Sequence, residues 1–128
     1  MVQNNAAKLV MRKRKRDHVT PLMKHLHWLP VRKRIDYKIL LLTYKALNGE
    51  APVYLSELLQ PYEPPRTLRS ADQLRLTEKR TVSTLGDRAF AAAAPKLWNN
   101  LPLKIRCSKN VDCFKKALKT HLFKCAYP

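Results

Sequence analysis

The stretch that decides the fold is VRKRIDYKILLLTYKALNG, residues 31–49. Its apolar side chains recur at spacings of three and four, the period of an amphipathic helix. Gly49 stands where such a helix should stop, because glycine is favoured just past helix C-termini. We predict a helix from about residue 31 to 48 that packs on more than one neighbour. Its predicted core stripe is Ile35, Ile39, Leu42 and Ala46, widened by Leu40, Tyr44 and Leu47.

The predicted stripe places Leu42 in the core, which can be tested by substitution. If Leu42 lies in the core, replacing it with Asp should unfold the domain, since an unpaired charge would be buried.

Local sequence signals predict further helices before and after this one. Residues 3–16 predict a helix, and Thr20-Pro21 begins a short one that ends before Pro30. Pro52 opens another short helix. Residues 87–101 predict a helix that Pro95 breaks or kinks, and a last helix covers about residues 111–125, capped by Asn110 or Ser108.

The connecting segments complete the expected fold. Three prolines make residues 61–66 a loop, and loose alternation over residues 72–85 is compatible with a weak β-hairpin. The expected fold class is mainly α, a small helical domain of about five to six helices. We divide it into a basic N-terminal helix at residues 1–17 and a single helical domain at residues 18–128.

The positive charge is large and concentrated at both ends of the chain. The formal net charge is +17 over 128 residues. Residues 1–34 contribute +9, from ten Lys/Arg and one acid, and residues 101–128 contribute +6, from seven and one. Residues 35–100 contribute only +2. Two cationic ends around a nearly balanced centre are typical of a chain that binds nucleic acid.

Three basic clusters are therefore the candidate nucleic-acid contacts, chosen on charge alone. Such clusters bind phosphates and release counterions, which gives salt-sensitive affinity without sequence preference. The first cluster could instead be a nuclear-import signal or a solvated helix end. The candidates are Arg12, Lys13, Arg14, Lys15, Arg16, Arg32, Lys33, Arg34, Lys115, Lys116 and Lys119.

Two tryptophans allow two interpretations each. Trp28 lies close to the second basic cluster and could stack on a base. It could instead be a core residue between Pro21 and Pro30, which is the interpretation we favour. Trp98 follows Leu97 on an apolar face, and we favour the core for it also.

Cysteine and histidine residues near the C-terminus suggest a zinc site that helix geometry disfavours. Cys107, Cys113, His121 and Cys125 have the spacing C-x5-C-x7-H-x3-C. On one helix, Cys113 and His121 would lie about 12 Å apart along the axis. Zinc needs its ligands at about 2.0–2.3 Å from the metal. We therefore expect no metal and no other cofactor, with buried thiols and a histidine on the polar face.

The remaining sequence features bear on compartment and catalysis. Three cysteines cannot form a closed set of disulfides, and we find neither a secretory signal nor an apolar stretch long enough for a bilayer. We expect a nuclear or cytoplasmic protein with no membrane partner.

The aspartates are isolated in sequence, Asp72 among them, and no nucleophile motif is present, so we expect no enzymatic activity.

Particular motifs go beyond what an amphipathic helix requires. They are HVTPLMKHLHWLPV at 18–31, RIDYK at 34–38, YKALNG at 44–49, GDRAF at 86–90, APKLWNNLP at 94–102, FKK at 114–116 and LKTHLF at 118–123. The chain resembles, over about residues 4–127, a segment downstream of the reverse transcriptase core in LINE-type (non-LTR) retrotransposon polyproteins.

This resemblance implies an accessory role beside a polymerase. The region is expected to hold template RNA or target DNA, with residues 1–17 resembling the end of a thumb. The catalytic carboxylates of the family's polymerase and endonuclease are absent here. A reverse transcriptase core is then a candidate partner. Two alternatives stay open: a module that packs against the polymerase thumb, or a translated relic of an element without a selected function.

Overall fold

The computed structural model describes residues 2–66, 69 and 73–128. Within these residues the chain forms seven α-helices and a short 3-10 turn at Gly86–Arg88, which confirms the mainly helical prediction. The helices are α1 (Val2–Val10), α2 (Thr20–His25), α3 (Val31–Leu47), α4 (Val53–Glu57), α5 (Phe90–Asn99), α6 (Leu103–Arg106) and α7 (Val111–Ala126).

Prolines begin several of these helices. Pro30, Pro52 and Pro102 immediately precede α3, α4 and α6, each with φ near −56°. The ring holds φ close to this value, so the chain turns into the helix at a defined angle. Pro21 lies in the first turn of α2, where the missing N–H costs nothing. The helix starts predicted at Pro21 and Pro52 are confirmed, whereas α6, which follows Pro102, was not predicted.

Two helix ends follow the predicted chemistry. Gly49, two residues past α3, has φ +73°, a backbone conformation that side chains with a Cβ rarely adopt. At α7, the Asn110 side chain accepts a hydrogen bond from the Cys113 N–H at 2.8 Å. Asn110 is thus the N-cap, because the Ser108 hydroxyl donates instead to the Ile105 carbonyl.

The core forms where α3 meets α5 and α7. Trp98, Phe114, Leu40 and Leu118 are fully buried there. The rings of Tyr44 and Phe114 stack with their centroids 4.3 Å apart, while the Tyr44 hydroxyl donates to the Ser108 carbonyl at 2.8 Å. The core assignment of Trp98 is confirmed, and its indole N–H donates to the Leu74 carbonyl.

The predicted core stripe of α3 is buried only in part: Ala46 is 4% exposed and belongs to the core, and Ile39 is half-buried. Leu40 and Tyr44 are 1% and 2% exposed, but Ile35 and Leu42 are 55% and 41% exposed. Our expectation that Leu42 lies in the core is therefore wrong. Helix α3 has two apolar faces, and the one that carries Leu40 and Tyr44 belongs to the core formed with α5 and α7. The periodicity of the apolar residues predicts both faces but does not predict which one is more buried.

The predicted β-hairpin near residues 72–85 does not form among residues 73–85. Residue Asp72 lies outside the described residues. Leu76 makes an isolated antiparallel bridge with Pro61. The Asn99 side chain accepts from the Leu76 N–H at 2.9 Å and donates to the Leu76 carbonyl at 2.8 Å. Since α5 satisfies these backbone groups, the segment needs no second strand.

The N-terminal helix is shorter than predicted. It ends at Val10, whereas the sequence predicted a helix through about residue 16. Arg12 has φ +50°, and the Asp17 carboxylate accepts from the Arg14 N–H at 2.9 Å. A side chain that bonds nearby backbone competes with the helix. The division at residues 17 and 18 stays a prediction.

The helix predicted at residues 87–101 is divided at Ala89, and Pro95 does not break it. The 3-10 turn at Gly86–Arg88 precedes α5, and α5 continues through Pro95 without a break.

None of the helices in the described residues is long and apolar enough to cross a bilayer.

Candidate nucleic-acid interface

The first basic cluster, residues 12–16, lies on a turn between α1 and α2. All five side chains are exposed. Asp17 is the neighbouring acid, and it forms its hydrogen bond with the Arg14 backbone rather than with a basic side chain. The Lys8 ammonium group donates to the Lys15 carbonyl, which ties the turn back to α1. The turn therefore presents five basic side chains to solvent from an anchored backbone.

The second cluster opens α3, and the structure separates its three members. Arg32 is exposed, Lys33 lies 3.7 Å from the Asp36 carboxylate, and Arg34 is exposed on another side of the helix. The first turn of α3 contains no acidic residue. Cations at a helix N-terminus oppose the helix dipole, so the charges of Arg32 and Arg34 do not stabilise α3 through the dipole.

The third cluster lies on the outward side of α7. Lys116 and Lys119 are exposed and Lys115 is half-buried, while Phe114, Leu118 and Leu122 face the core. The three lysines occupy neighbouring positions of one helix surface, since residues three and four apart adjoin.

Two of these clusters meet at a groove of about 1090 Å³ between α1, α3 and α7. Arg34 and Lys119 both line it, together with Lys38. Lys38 was not among the candidates chosen on charge, although its position four residues after Arg34 places both on one side of α3. None of residues 12–16 lines the groove, so the first cluster is a separate surface.

Trp28 lies at the groove rather than in the core. It is half-buried and lines the groove beside Leu29, so the core assignment that we favoured is wrong. The Gln3 side chain donates to the Leu29 carbonyl at 2.7 Å, and the Tyr127 hydroxyl donates to the Trp28 carbonyl at 2.8 Å. These bonds hold α1 and the end of α7 against the segment that follows α2. Burial raises the pKa of Tyr37, which also lines the groove.

One arginine that the sequence did not single out is buried. Arg106 is 6% exposed, donates to the Gln73 carbonyl, and leaves its Nε without a hydrogen-bond partner. Desolvation, with a smaller contribution from nearby Arg75, lowers the pKa of Arg106. Because its guanidinium group is enclosed, Arg106 does not belong to the exposed basic surface.

The cysteine and histidine residues of the zinc pattern are spread over the surface. Cys107, Cys113 and Cys125 are all exposed, which contradicts our expectation of buried thiols. The Cys125 Sγ and the His121 Nε2 lie 3.7 Å apart, one helical turn from each other on α7. In the described part of the chain, no three His, Cys, Asp or Glu residues are grouped as metal ligands.

Three of the four described aspartates take part in local contacts, while Asp112 is exposed in the first turn of α7. Asp17 binds the Arg14 N–H, Asp36 pairs with Lys33, and Asp87 accepts from Thr81 and from Lys96. The hydrogen bond from Thr81, followed by that from Lys96, lowers the pKa of Asp87. Each of these contacts supports a turn or a helix end.

Comparison with known proteins finds no match among family models, curated proteins or solved structures. The resemblance to the LINE-type region therefore stays a prediction, made on the motifs of the chain itself.

Proposed function

We propose that the chain is a non-catalytic nucleic-acid-binding module that holds an RNA or DNA strand through its phosphates. The role suggested by its resemblance is that of a region following the polymerase core of a LINE-type retrotransposon. The observation that carries the proposal is the turn at residues 12–16, where five consecutive basic side chains are exposed. Basic side chains left in solvent can exchange their counterions for phosphates.

The other clusters support the same function from different elements. Arg32 and Arg34 on α3, and Lys116 and Lys119 on α7, are exposed. Contacts of this kind read no bases, because phosphates carry no sequence information. The module would position a strand for a partner that performs the chemistry. Its affinity should fall steeply with salt.

The test neutralises the turn and compares it with a matched control. One variant replaces residues 12–16 with Gln. The control replaces five other exposed basic residues with Gln, namely Lys79, Arg80, Arg88, Lys104 and Lys109. Both variants remove the same charge. Dissociation constants are measured for a structured RNA, an unrelated RNA and duplex DNA over about 50 to 300 mM salt.

We expect the turn variant to weaken binding to all three nucleic acids and to flatten the salt slope. For duplex DNA, the slope should fall by about 0.9 for each phosphate that the variant no longer neutralises. The control should retain most of the parent's affinity. Equally weakened binding by the two variants would mean that net charge alone attracts the polymer, and the turn would not be the interface. A preference of the parent for one RNA would show that base contacts add to the phosphate contacts.

A further inference from the structure

The groove between α1, α3 and α7 has an apolar floor that the fold leaves uncovered. Val31, Ile35, Ile39 and Leu42 follow one another along α3 and line it. All but Ile39 are exposed, as is Val2 on the α1 side. The spacing of these positions is four, four and three residues, so they form one continuous stripe. Contiguous exposed apolar surface on a small domain marks an interaction site.

Basic side chains surround this floor. Arg34 and Lys38 line the groove from α3, and Lys119 lines it from α7. No acidic residue is among the groove-lining residues of the described chain. The nearest acid on α3, Asp36, pairs with Lys33 at 3.7 Å. The groove therefore combines an apolar floor with a positive rim.

The dimensions of the groove suit a short helix. From Val31 to Leu42 the stripe rises about 16 Å, which is three helical turns. The cavity of about 1090 Å³ is lined along its length by larger side chains, including Trp28 and Tyr37. An amphipathic helix binds such a groove by inserting side chains spaced three and four residues apart.

We propose that this groove binds an amphipathic, acidic helix of a partner protein. Its apolar face would cover the α3 stripe, and its carboxylates would pair with Arg34, Lys38 and Lys119. This inference goes beyond nucleic-acid binding, because the apolar floor offers nothing to a phosphate backbone. Complementary charge across the rim would select the partner and set its orientation.

Charge argues against a second copy of this chain as the occupant. The helices of eight residues or more are α1, α3, α5 and α7, and each carries a net positive charge. A helix from another copy would bring cations to a cationic rim, and like charges across an interface are costly.

The test uses a designed peptide of about 16 residues that carries Leu along one face and Glu on its flanks. Two comparison peptides keep the Leu face and replace Glu with Lys, or scramble the order. Binding is followed by fluorescence anisotropy. The floor variant is Ile35→Ser with Leu42→Ser, and the rim variant is Arg34→Glu with Lys38→Glu. Their controls are Val82→Ser with Leu85→Ser, and Lys79→Glu with Arg80→Glu, all exposed residues outside the groove.

We expect the acidic peptide alone to bind, and both groove variants to weaken its binding at least about tenfold while the controls bind as the parent does. Thermal melts should show that the floor variant is folded. The variant neutralised at residues 12–16 should still bind the peptide, which separates this inference from the nucleic-acid proposal.

Three results would overturn the proposal. The Lys peptide could bind as well as the Glu peptide, so that the rim charge selects nothing. The floor variant could lose RNA affinity and keep peptide affinity, which would assign the groove to nucleic acid. Sedimentation could show a dimer of the parent that the floor variant abolishes, which would make a second copy the occupant.

Discussion

The two apolar faces of α3 carry similar side chains in very different surroundings. One face, with Leu40 and Tyr44, is enclosed by α5 and α7. The other, with Ile35 and Leu42, opens into the groove beside α1. The apolar residues of both faces recur with the period of a helix. The period therefore predicts both apolar faces, but it does not predict which of them is buried in the core.

The comparison also separates stability from recognition. The enclosed face contributes buried area, aromatic stacking and a satisfied hydroxyl, all of which stabilise the fold. The open face removes less area from water in the free chain than the enclosed face does. The exposed surface of its apolar side chains is removed from water only when a partner covers it.

The largest expected effect comes from placing a charge on each face in turn. Leu40→Asp should lower the free energy of unfolding by at least about 4 kcal/mol, because the carboxylate would be buried without a partner. Leu42→Asp should cost about 1 kcal/mol or less, since its side chain reaches solvent and the groove cations. Urea unfolding followed by circular dichroism measures both. Equal destabilisation by the two variants would show that the two faces are equally enclosed.

A second experiment compares the buried Tyr44 with the half-buried Tyr37, which lies at the edge of the groove. Tyr44→Phe removes the hydrogen bond to the Ser108 carbonyl and should cost about 1 kcal/mol at neutral pH. Tyr37→Phe, on the groove side, should cost less. Burial raises the pKa of both phenols above the ordinary value of 10.0.

This pKa shift predicts the alkaline limb of the stability curve. Because folding raises the pKa of these phenols, each phenol ionises less readily in the folded state than in the unfolded state. Its neutral form is therefore the one that folding favours, and stability falls as pH rises above about 10, where the unfolded phenol begins to ionise. Either Phe variant should have a flatter alkaline limb than the parent. Unfolding free energies at several alkaline pH values would test this, and identical limbs in parent and variants would contradict it.

The smallest expected effect concerns the solvent side of α3. Lys33→Gln removes the ion pair with Asp36 and should cost no more than about 0.5 kcal/mol, an effect that vanishes at high salt. Arg32→Gln at the neighbouring exposed position is the control. A salt-independent destabilisation of several times that size would mean that Lys33 stabilises α3 by packing rather than by charge.

The parts of the fold that could be predicted from the sequence are those set by local chemistry. Pro30 and Pro52 begin helices, Gly49 stops one and Asn110 caps another, because each acts within a few residues of itself. The hairpin prediction was wrong for the opposite reason. Leu74 and Leu76 bond to side chains at the end of α5, more than twenty residues away, and no local pattern predicts these contacts.

The candidate sites divide in the same way. The exposed turn at residues 12–16 was visible as a run of charge, although its backbone is not the helix that we predicted. The groove was not visible, since it needs Trp28, Lys38 and Lys119 from separate parts of the chain. Lys38 could have been found from its spacing to Arg34. Lys119 was already a candidate on charge, but its place in the same groove could not be predicted from the sequence.

By itself, the sequence determined a mainly helical chain, the ends of its longest helices and the concentration of positive charge near both termini. These depend on backbone conformation, capping and composition, which are properties of short segments. Only the tertiary structure decided which face of α3 is core, that Arg106 is buried and that Arg34 and Lys119 share a groove. The physical reason is that burial depends on which helices pack together, and that packing joins residues far apart in the chain.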